Sequence, residues 1–296
     1  MPRSSVVPLP ALVAVTAVWG ITFVQVQDAI AIYPLFAFLA VRFVISAVAL
    51  APFAWRPLLA LPREGLLAGL GVGVLLAGAY GFQTAGLDRT TVASTGFITG
   101  LYVVFTPLIA LWLFGTRVPT LAWAGVGLSV VGLLLLNGVP GGSALGNALV
   151  LVNALLQAFQ IASMERFAPR YDPRALTFLQ MTSAAVGFTI LALSLGQLEV
   201  PRGWTVWSAL LVTGVFAGAL GYLIATWVQG RTTAARAALV FTLEAPFAAL
   251  FGVLLADEVL GWVGWTGCAV MLAGIVLAEP AAAAVLRRLV DRTGRT

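Results

Sequence analysis

Neither lysine nor histidine occurs anywhere in the 296 residues, and all 16 basic side chains are arginine. Without lysine there is no Walker A loop, whose lysine reaches the β- and γ-phosphates of a nucleotide. Without histidine there is no Ser–His dyad and no histidine-ligated metal site. Cysteine is reduced to Cys268, which lies in an apolar run and reads as a small core residue. A single cysteine excludes an intrachain disulfide and a thiolate cluster. Charge is scarce as well. Only 9% of residues are charged, against about a quarter in a soluble domain. No cofactor and no metal is expected.

What remains is apolar: 61% of the chain is hydrophobic. So few charges cannot keep that much apolar surface in water, and the solvent must be lipid. The net charge of +5 does not point to nucleic acid, because the arginines punctuate apolar runs instead of clustering on one face.

A membrane span needs roughly 20 apolar residues. Such runs fall near 9–27, 35–55, 66–87, 91–115, 118–137, 143–163, 174–195, 204–228, 233–256 and 260–279, separated by turn and charge residues such as Tyr33-Pro34, Asp88-Arg89 and Asp257-Glu258. Met1-Pro2-Arg3 before the first run resembles a signal-peptide start, but the run reaches Gln27 without a small-x-small cleavage site. It is expected to be an uncleaved first span. With the N-terminus inside, thirteen arginines fall on the inner side, and only Arg89 and Arg202 on the outer. The positive-inside rule then places both termini in the cytoplasm, which requires an even number of spans. Ten satisfies it. The stretch Ala281 to Arg292 mixes leucine with arginine and reads as a short helix on the anionic inner leaflet.

The chain also repeats itself. Residues 80–135 lie ungapped on 222–277, a shift of 142 residues. Tyr80 falls on Tyr222, Thr84 on Thr226, Arg89-Thr90-Thr91 on Arg231-Thr232-Thr233, Phe105 on Phe247, Trp123 on Trp265, Gly125 on Gly267 and Gly132 on Gly274. Five spans per unit is an odd number, so the second unit must sit inverted relative to the first, an architecture common among secondary transporters. The expected organisation is an all-α integral membrane protein of about ten transmembrane helices, arranged as two inverted five-helix repeats. The units are 1–138 and 139–280, followed by a basic cytoplasmic tail, 281–296.

Polar residues within the spans mark candidate sites, because a polar stripe in lipid must face protein or water. Thr95, Thr99, Tyr102 and Thr106 share a face of the fourth span, and Asn153, Gln157 and Gln160 a face of the sixth. Tyr80, Gln83 and Thr84 line the third, with Tyr222, Thr226 and Gln229 on the eighth. Interhelical hydrogen bonding accounts well for threonines. Large amides and phenols suit a cavity better. Trp19, Tyr80, Gln83, Tyr102, Asn153, Gln157 and Tyr222 are therefore the expected substrate-binding residues.

Two charges lie deep, Arg42 in the second span and Glu244 in the ninth. Each costs on the order of 3 kcal/mol to insert and needs a partner or water. They are expected to serve as coupling or structural charges, and they favour an amphoteric or neutral substrate over a polyanion. Pro107 and Pro246 are the expected helix kinks, freeing the carbonyls of Val103 and Thr242. The glycine strings Gly69-x-Gly71-x-Gly73 and Gly214, Gly218 and Gly221 allow close internal packing, and they would also serve a homodimer face.

These residues resemble the drug/metabolite transporter superfamily, in particular its EamA-type members, over essentially the whole length. The resemblance rests on Ala17-Val18-Trp19-Gly20 with Phe23-Val24, on Arg42, on Gly96 to Tyr102 with Thr106-Pro107-Leu108, and on Leu243-Glu244-Ala245-Pro246 with Gly267 to Gly274. Two features depart from the family pattern. Glu244 and Pro246 are separated by Ala245, and Thr116-Arg117 stands where an acidic residue often ends the fourth span. The resemblance implies a ten-helix carrier in a bacterial inner membrane. It would move a small metabolite such as an amino acid or a drug-like compound, more often outward, by alternating access around a central cavity. A channel or uncoupled facilitator is the alternative, and an intramembrane enzyme lacks the usual catalytic side chains. The expected partners are the small-molecule substrate and the lipid bilayer.

Overall fold

The computed structural model describes residues 9–138, 141–255 and 259–278, and within them every regular element is helical. The inner-leaflet helix expected at 281–292 lies outside the described residues. Helices occupy all ten expected segments. The first five hold α1 (Leu9–Ile30), α2 (Leu35–Leu59), α3 (Arg63–Leu87), α4 (Val92–Gly100), α5 (Tyr102–Phe114) and α6 (Thr120–Asn137). The remainder hold α7 (Ala144–Phe167), α8 (Pro173–Ser194), α9 (Trp204–Leu211), α10 (Tyr222–Gln229), α11 (Ala234–Phe241), α12 (Glu244–Leu255) and α13 (Trp262–Leu277). Among the described residues, eight stretches are long and apolar enough to cross a membrane, and Leu9–Thr22 and Trp262–Leu277 are shorter apolar helices.

Local chemistry sets the ends. Prolines precede α2 (Pro34), α3 (Pro62) and α6 (Pro119), where a missing N–H costs no helical bond. Thr91 and Thr233, equivalent under the 142-residue shift, both accept an N-terminal N–H, from Ser94 at 3.1 Å and Arg236 at 3.4 Å. Asp172 caps α8, accepting the Arg174 N–H at 2.8 Å. The Arg174 guanidinium bonded to the same carboxylate holds Asp172 below the usual carboxylate range. Outside the helices, the Tyr33 hydroxyl donates to the Glu199 carbonyl at 2.6 Å and ties the α1–α2 turn to the segment before α9.

Three spans are irregular. The fourth is interrupted at Leu101 between α4 and α5, and the ninth at Thr242-Leu243 between α11 and α12. Leu101 and Leu243 are equivalent under the shift, and their N–H groups reach back three residues, to Ile98 and Val240, each at 3.1 Å. The breaks thus precede Pro107 and Pro246, which lie inside the helices that follow. The Thr242 carbonyl is not left free, since it accepts the Ala245 N–H at 3.2 Å. The eighth span contains a ten-residue π-helix, Val212–Gly221, between α9 and α10.

Packing follows the repeat. α3 lies on α7, and the π segment and α10 lie on α1; α5 lies on α7, and α12 lies on α1. The fifth and tenth spans, α6 and α13, pack on each other through glycine. A Cβ on Gly125 would sit 2.5 Å from the Gly274 carbonyl oxygen, and one on Gly132 would sit 2.7 Å from that of Gly267. The pairing runs antiparallel, and the 142-residue shift exchanges one pair for the other. Such close backbone contact replaces the hydrophobic drive that lipid cannot supply between helices. The glycine strings named above also pack internally: Gly69 faces Leu179, Gly73 faces Ser183 and Gly214 faces Ile45, while Gly71 faces open space.

Candidate functional site

The helices bring the polar residues into two adjoining groups. The first is aromatic and charged. The Tyr80 and Tyr222 hydroxyls share a 3.2 Å hydrogen bond, which joins α3 to α10 at two positions equivalent under the repeat shift. Trp19 on α1 packs against Tyr222 and Phe241, with ring centroids 5.2 and 5.4 Å apart. Its indole N–H donates to the Ala217 carbonyl in the π segment at 3.1 Å. Phe43 stands edge-on to Tyr80 at 5.4 Å and stacks on Phe188 at 5.6 Å.

Arg42 lies in this group, buried, with its guanidinium carbon 5.2 Å from the Tyr80 ring centre and 5.4 Å from that of Phe43. Cation–π attraction is strongest where water is excluded, so the two rings stabilise a charge that lipid would not. They do not satisfy its donors: Nε is buried without a hydrogen-bond partner among the described residues. Glu244, first residue of α12, is within electrostatic reach of Arg42, Tyr102 and Tyr222. The described ion pairs are the exposed Asp88–Arg89 and Asp172–Arg174 contacts, and Arg42 and Glu244 do not form one. Arg42 and Glu244 therefore face the same centre without joining in an ion pair.

The second group is amide and hydroxyl. Thr99 on α4 accepts from Gln83 of α3 at 3.3 Å and from Asn153 of α7 at 2.9 Å, tying three spans to one oxygen. Gln157, one turn beyond Asn153, is partly buried. Gln160, on the same stripe, bonds instead to Gln180 of α8 at 2.9 Å, within the helix packing. Tyr102 is buried at the start of α5, Pro107 is buried further along it, and Pro246 is partly buried in α12.

The expected residues thus fall into a ring–charge group of Trp19, Arg42, Tyr80 and Tyr222, bordered by Glu244 and Tyr102, and an amide group of Gln83 and Asn153 around Thr99. Sequence reasoning missed Ser46. Its hydroxyl lies 2.7 Å from the Gly214 carbonyl and 3.0 Å from the Arg42 carbonyl. A lone serine in an apolar span gives no periodic signal, so only the fold reveals this contact. Phe43 and Phe241 were hidden for a similar reason, since one aromatic among many apolar residues carries no mark of the site.

An apolar bundle with charged and polar groups gathered at its centre defines the class: a multi-pass protein embedded in the membrane, with its chemistry inside the span. The model of the EamA-like transporter family matches residues 8–138 and again residues 144–279. The chain belongs to this family, within the drug/metabolite transporter superfamily, and is a membrane transporter. It is 30% identical over 269 residues to an uncharacterized transporter of Archaeoglobus fulgidus, covering 90% of this chain and 83% of the relative. It is 28% identical over 283 residues to a WAT1-related chloroplastic protein of Arabidopsis thaliana, covering 88% of this chain and 66% of that protein. A solved crystal structure superposes with a TM-score of 0.77 at 18% identity, over 94% of this chain and 97% of the other. That likeness establishes shared fold alone.

Proposed function

We propose that the chain is a secondary transporter that carries a small metabolite, such as an amino acid or a drug-like compound, by alternating access around the ring–charge group. Export is the favoured direction, the membrane is a bacterial inner membrane, and both termini lie in the cytoplasm. Two inverted repeats, meeting near Tyr80 and Tyr222, form the moving halves. The observation that carries this reading is the 3.2 Å bond between those two tyrosines. Residues equivalent under a repeat can touch only where the repeats meet, and inverted-repeat carriers place their substrate sites at that meeting.

The roles follow from chemistry. Trp19, Tyr80, Tyr102 and Tyr222 box the substrate, and Gln83, Asn153 and Gln157 orient its polar groups. Arg42 and Glu244 present opposite charges to an amphoteric or neutral solute. Their separate insertion costs favour keeping both within one polar centre.

The test is a thermal-shift screen of a metabolite library on purified protein, followed by counterflow of the hits in liposomes. A carrier gives saturable counterflow. Single-channel currents without saturation would replace the reading with a channel. Tyr222→Ala and Gln157→Leu should both abolish the ligand-induced shift. Gln157→Leu, at a partly buried position, should leave the unliganded melting temperature nearly constant, whereas loss of the packed Tyr222 ring should lower it. Unchanged binding in both variants would move the site elsewhere.

A further inference from the structure

The π segment Val212–Gly221 ends one residue before Tyr222, so its geometry decides where that tyrosine points. A π turn is wider than an α turn and persists where side-chain donors enter the backbone ladder. Two donors do so here, both buried. The Ser46 hydroxyl reaches the Gly214 carbonyl from α2 at 2.7 Å, and the Trp19 indole reaches the Ala217 carbonyl from α1 at 3.1 Å. The serine enters so closely that a Cβ on Gly218 would collide with its oxygen. Glycine at 218 makes room for the clamp.

We propose that Ser46 and Trp19 are positioning residues that hold Val212–Gly221 in its π form and thereby keep Tyr222 in register with Tyr80. Ser46 carries one proton and faces two acceptors, the Gly214 carbonyl and the Arg42 carbonyl on its own helix, 3.0 Å away. Donation to Gly214 ties the arginine-bearing helix to the π segment. Donation to Arg42 alone satisfies α2 and releases the segment. Relaxation to α-helix by one residue of register would turn Tyr222 by about 100° about the helix axis and break its bond to Tyr80. The clamp thus has two arrangements that differ by the destination of one hydroxyl proton.

Residues 70–79, the ten residues of α3 that lead to Tyr80 as 212–221 lead to Tyr222, supply an internal control, because they are α-helical. The side-chain donor found there is the half-buried Ser183, whose hydroxyl makes an exposed contact 3.4 Å from the Leu70 carbonyl, at the limit of a hydrogen bond.

The inference rests on the transport reading only for its consequence, since the positioning itself can be measured without a substrate. Amide hydrogen exchange on full-length protein is compared between residues 212–221 and residues 70–79, in wild type, Ser46→Ala and Trp19→Phe. Both variants should speed exchange at 212–221 at least tenfold and leave 70–79 unchanged. Photo-induced dityrosine formation between Tyr80 and Tyr222, mapped by peptide mass spectrometry, should fall at least threefold in the same variants. Acceleration in both stretches, in neither, or an unchanged dityrosine yield overturns the positioning role. If the exchange and cross-linking results hold while Tyr222→Ala leaves counterflow intact, the clamp stands and the transport reading of the centre falls.

Discussion

Residues 70–79 and 212–221 lead directly to Tyr80 and Tyr222, are comparably apolar, and hold three glycines each. One is regular α-helix and the other π-helix. Composition therefore does not decide between the two forms. Their neighbours differ: the π stretch receives two buried donors at 2.7 and 3.1 Å, and the α stretch one exposed contact at 3.4 Å. A duplicated fold can diverge through the side chains of adjacent helices while the duplicated helix itself stays permissive. Symmetry survives in the scaffold and is given up near the centre.

Substitutions can break or sharpen that contrast. The largest effect belongs where the halves still match. Gly125→Val and Gly267→Val, equivalent under the shift, should both destabilise the protein, by about 1–3 kcal/mol or more, because each pushes a side chain into the opposing backbone. Gly127→Val, which faces open space two residues away, should be nearly silent in the same thermal-melt series. Unequal damage from the two seam variants would show that the scaffold has diverged too.

At the centre the halves should respond unequally. Tyr80→Phe and Tyr222→Phe each delete the shared bond, worth about 1 kcal/mol. Tyr222→Ala also strips a ring from Trp19, so its transport rate should fall about tenfold further than that of Tyr222→Phe. Counterflow of a screened ligand measures both. Equal losses would mean that the bond alone matters.

Next in size are the paired caps. Thr91→Ala and Thr233→Ala should cost about 1 kcal/mol each in melting experiments, since the two threonines cap equivalent helices. The smallest effect is again one-sided. Asp172 caps α8, whereas Pro34 at the start of α2 offers no side-chain bond. Its depressed pKa contributes stability that is present above the unfolded value, about 3.9, and is lost as the pH falls through the lower folded value. Partial exposure limits this to below about 1 kcal/mol. Asp172→Asn should therefore lower the melting temperature slightly at pH 7, and the difference from wild type should shrink progressively as the pH falls below the unfolded value.

Spans were legible because lipid demands long apolar runs, and their ends because proline and threonine act locally. The repeat could be read because Arg-Thr-Thr, tryptophan and paired glycines recur at one shift. Tyr80 and Tyr222 were named from their stripes, and Gln83 and Asn153 from theirs. The helix breaks themselves, at Leu101 and Thr242-Leu243, were not named from Pro107 and Pro246, which lie inside the helices that follow. Proline removes a donor within a helix, but where the helix yields depends on packing from other spans. The π segment left no trace in its own residues. Its cause is Ser46 and Trp19, far away in sequence, and only the fold brings them together.

The glycine seam between α6 and α13 has a consequence for how the protein is made. α6 leaves the ribosome well before α13, with α7 to α12 between them. At about 5–20 residues per second the delay is on the order of ten seconds. Until α13 arrives, the face notched at Gly125 and Gly132 lacks the backbone on which it packs in the finished bundle. The nascent first half must wait in the bilayer with its best docking surface unoccupied, and closure of the seam is the event that completes assembly. Ribosome-arrested chains ending before Trp262 should accordingly be degraded faster than chains extended past Leu277, and equal lifetimes would show that the bundle matures without α13.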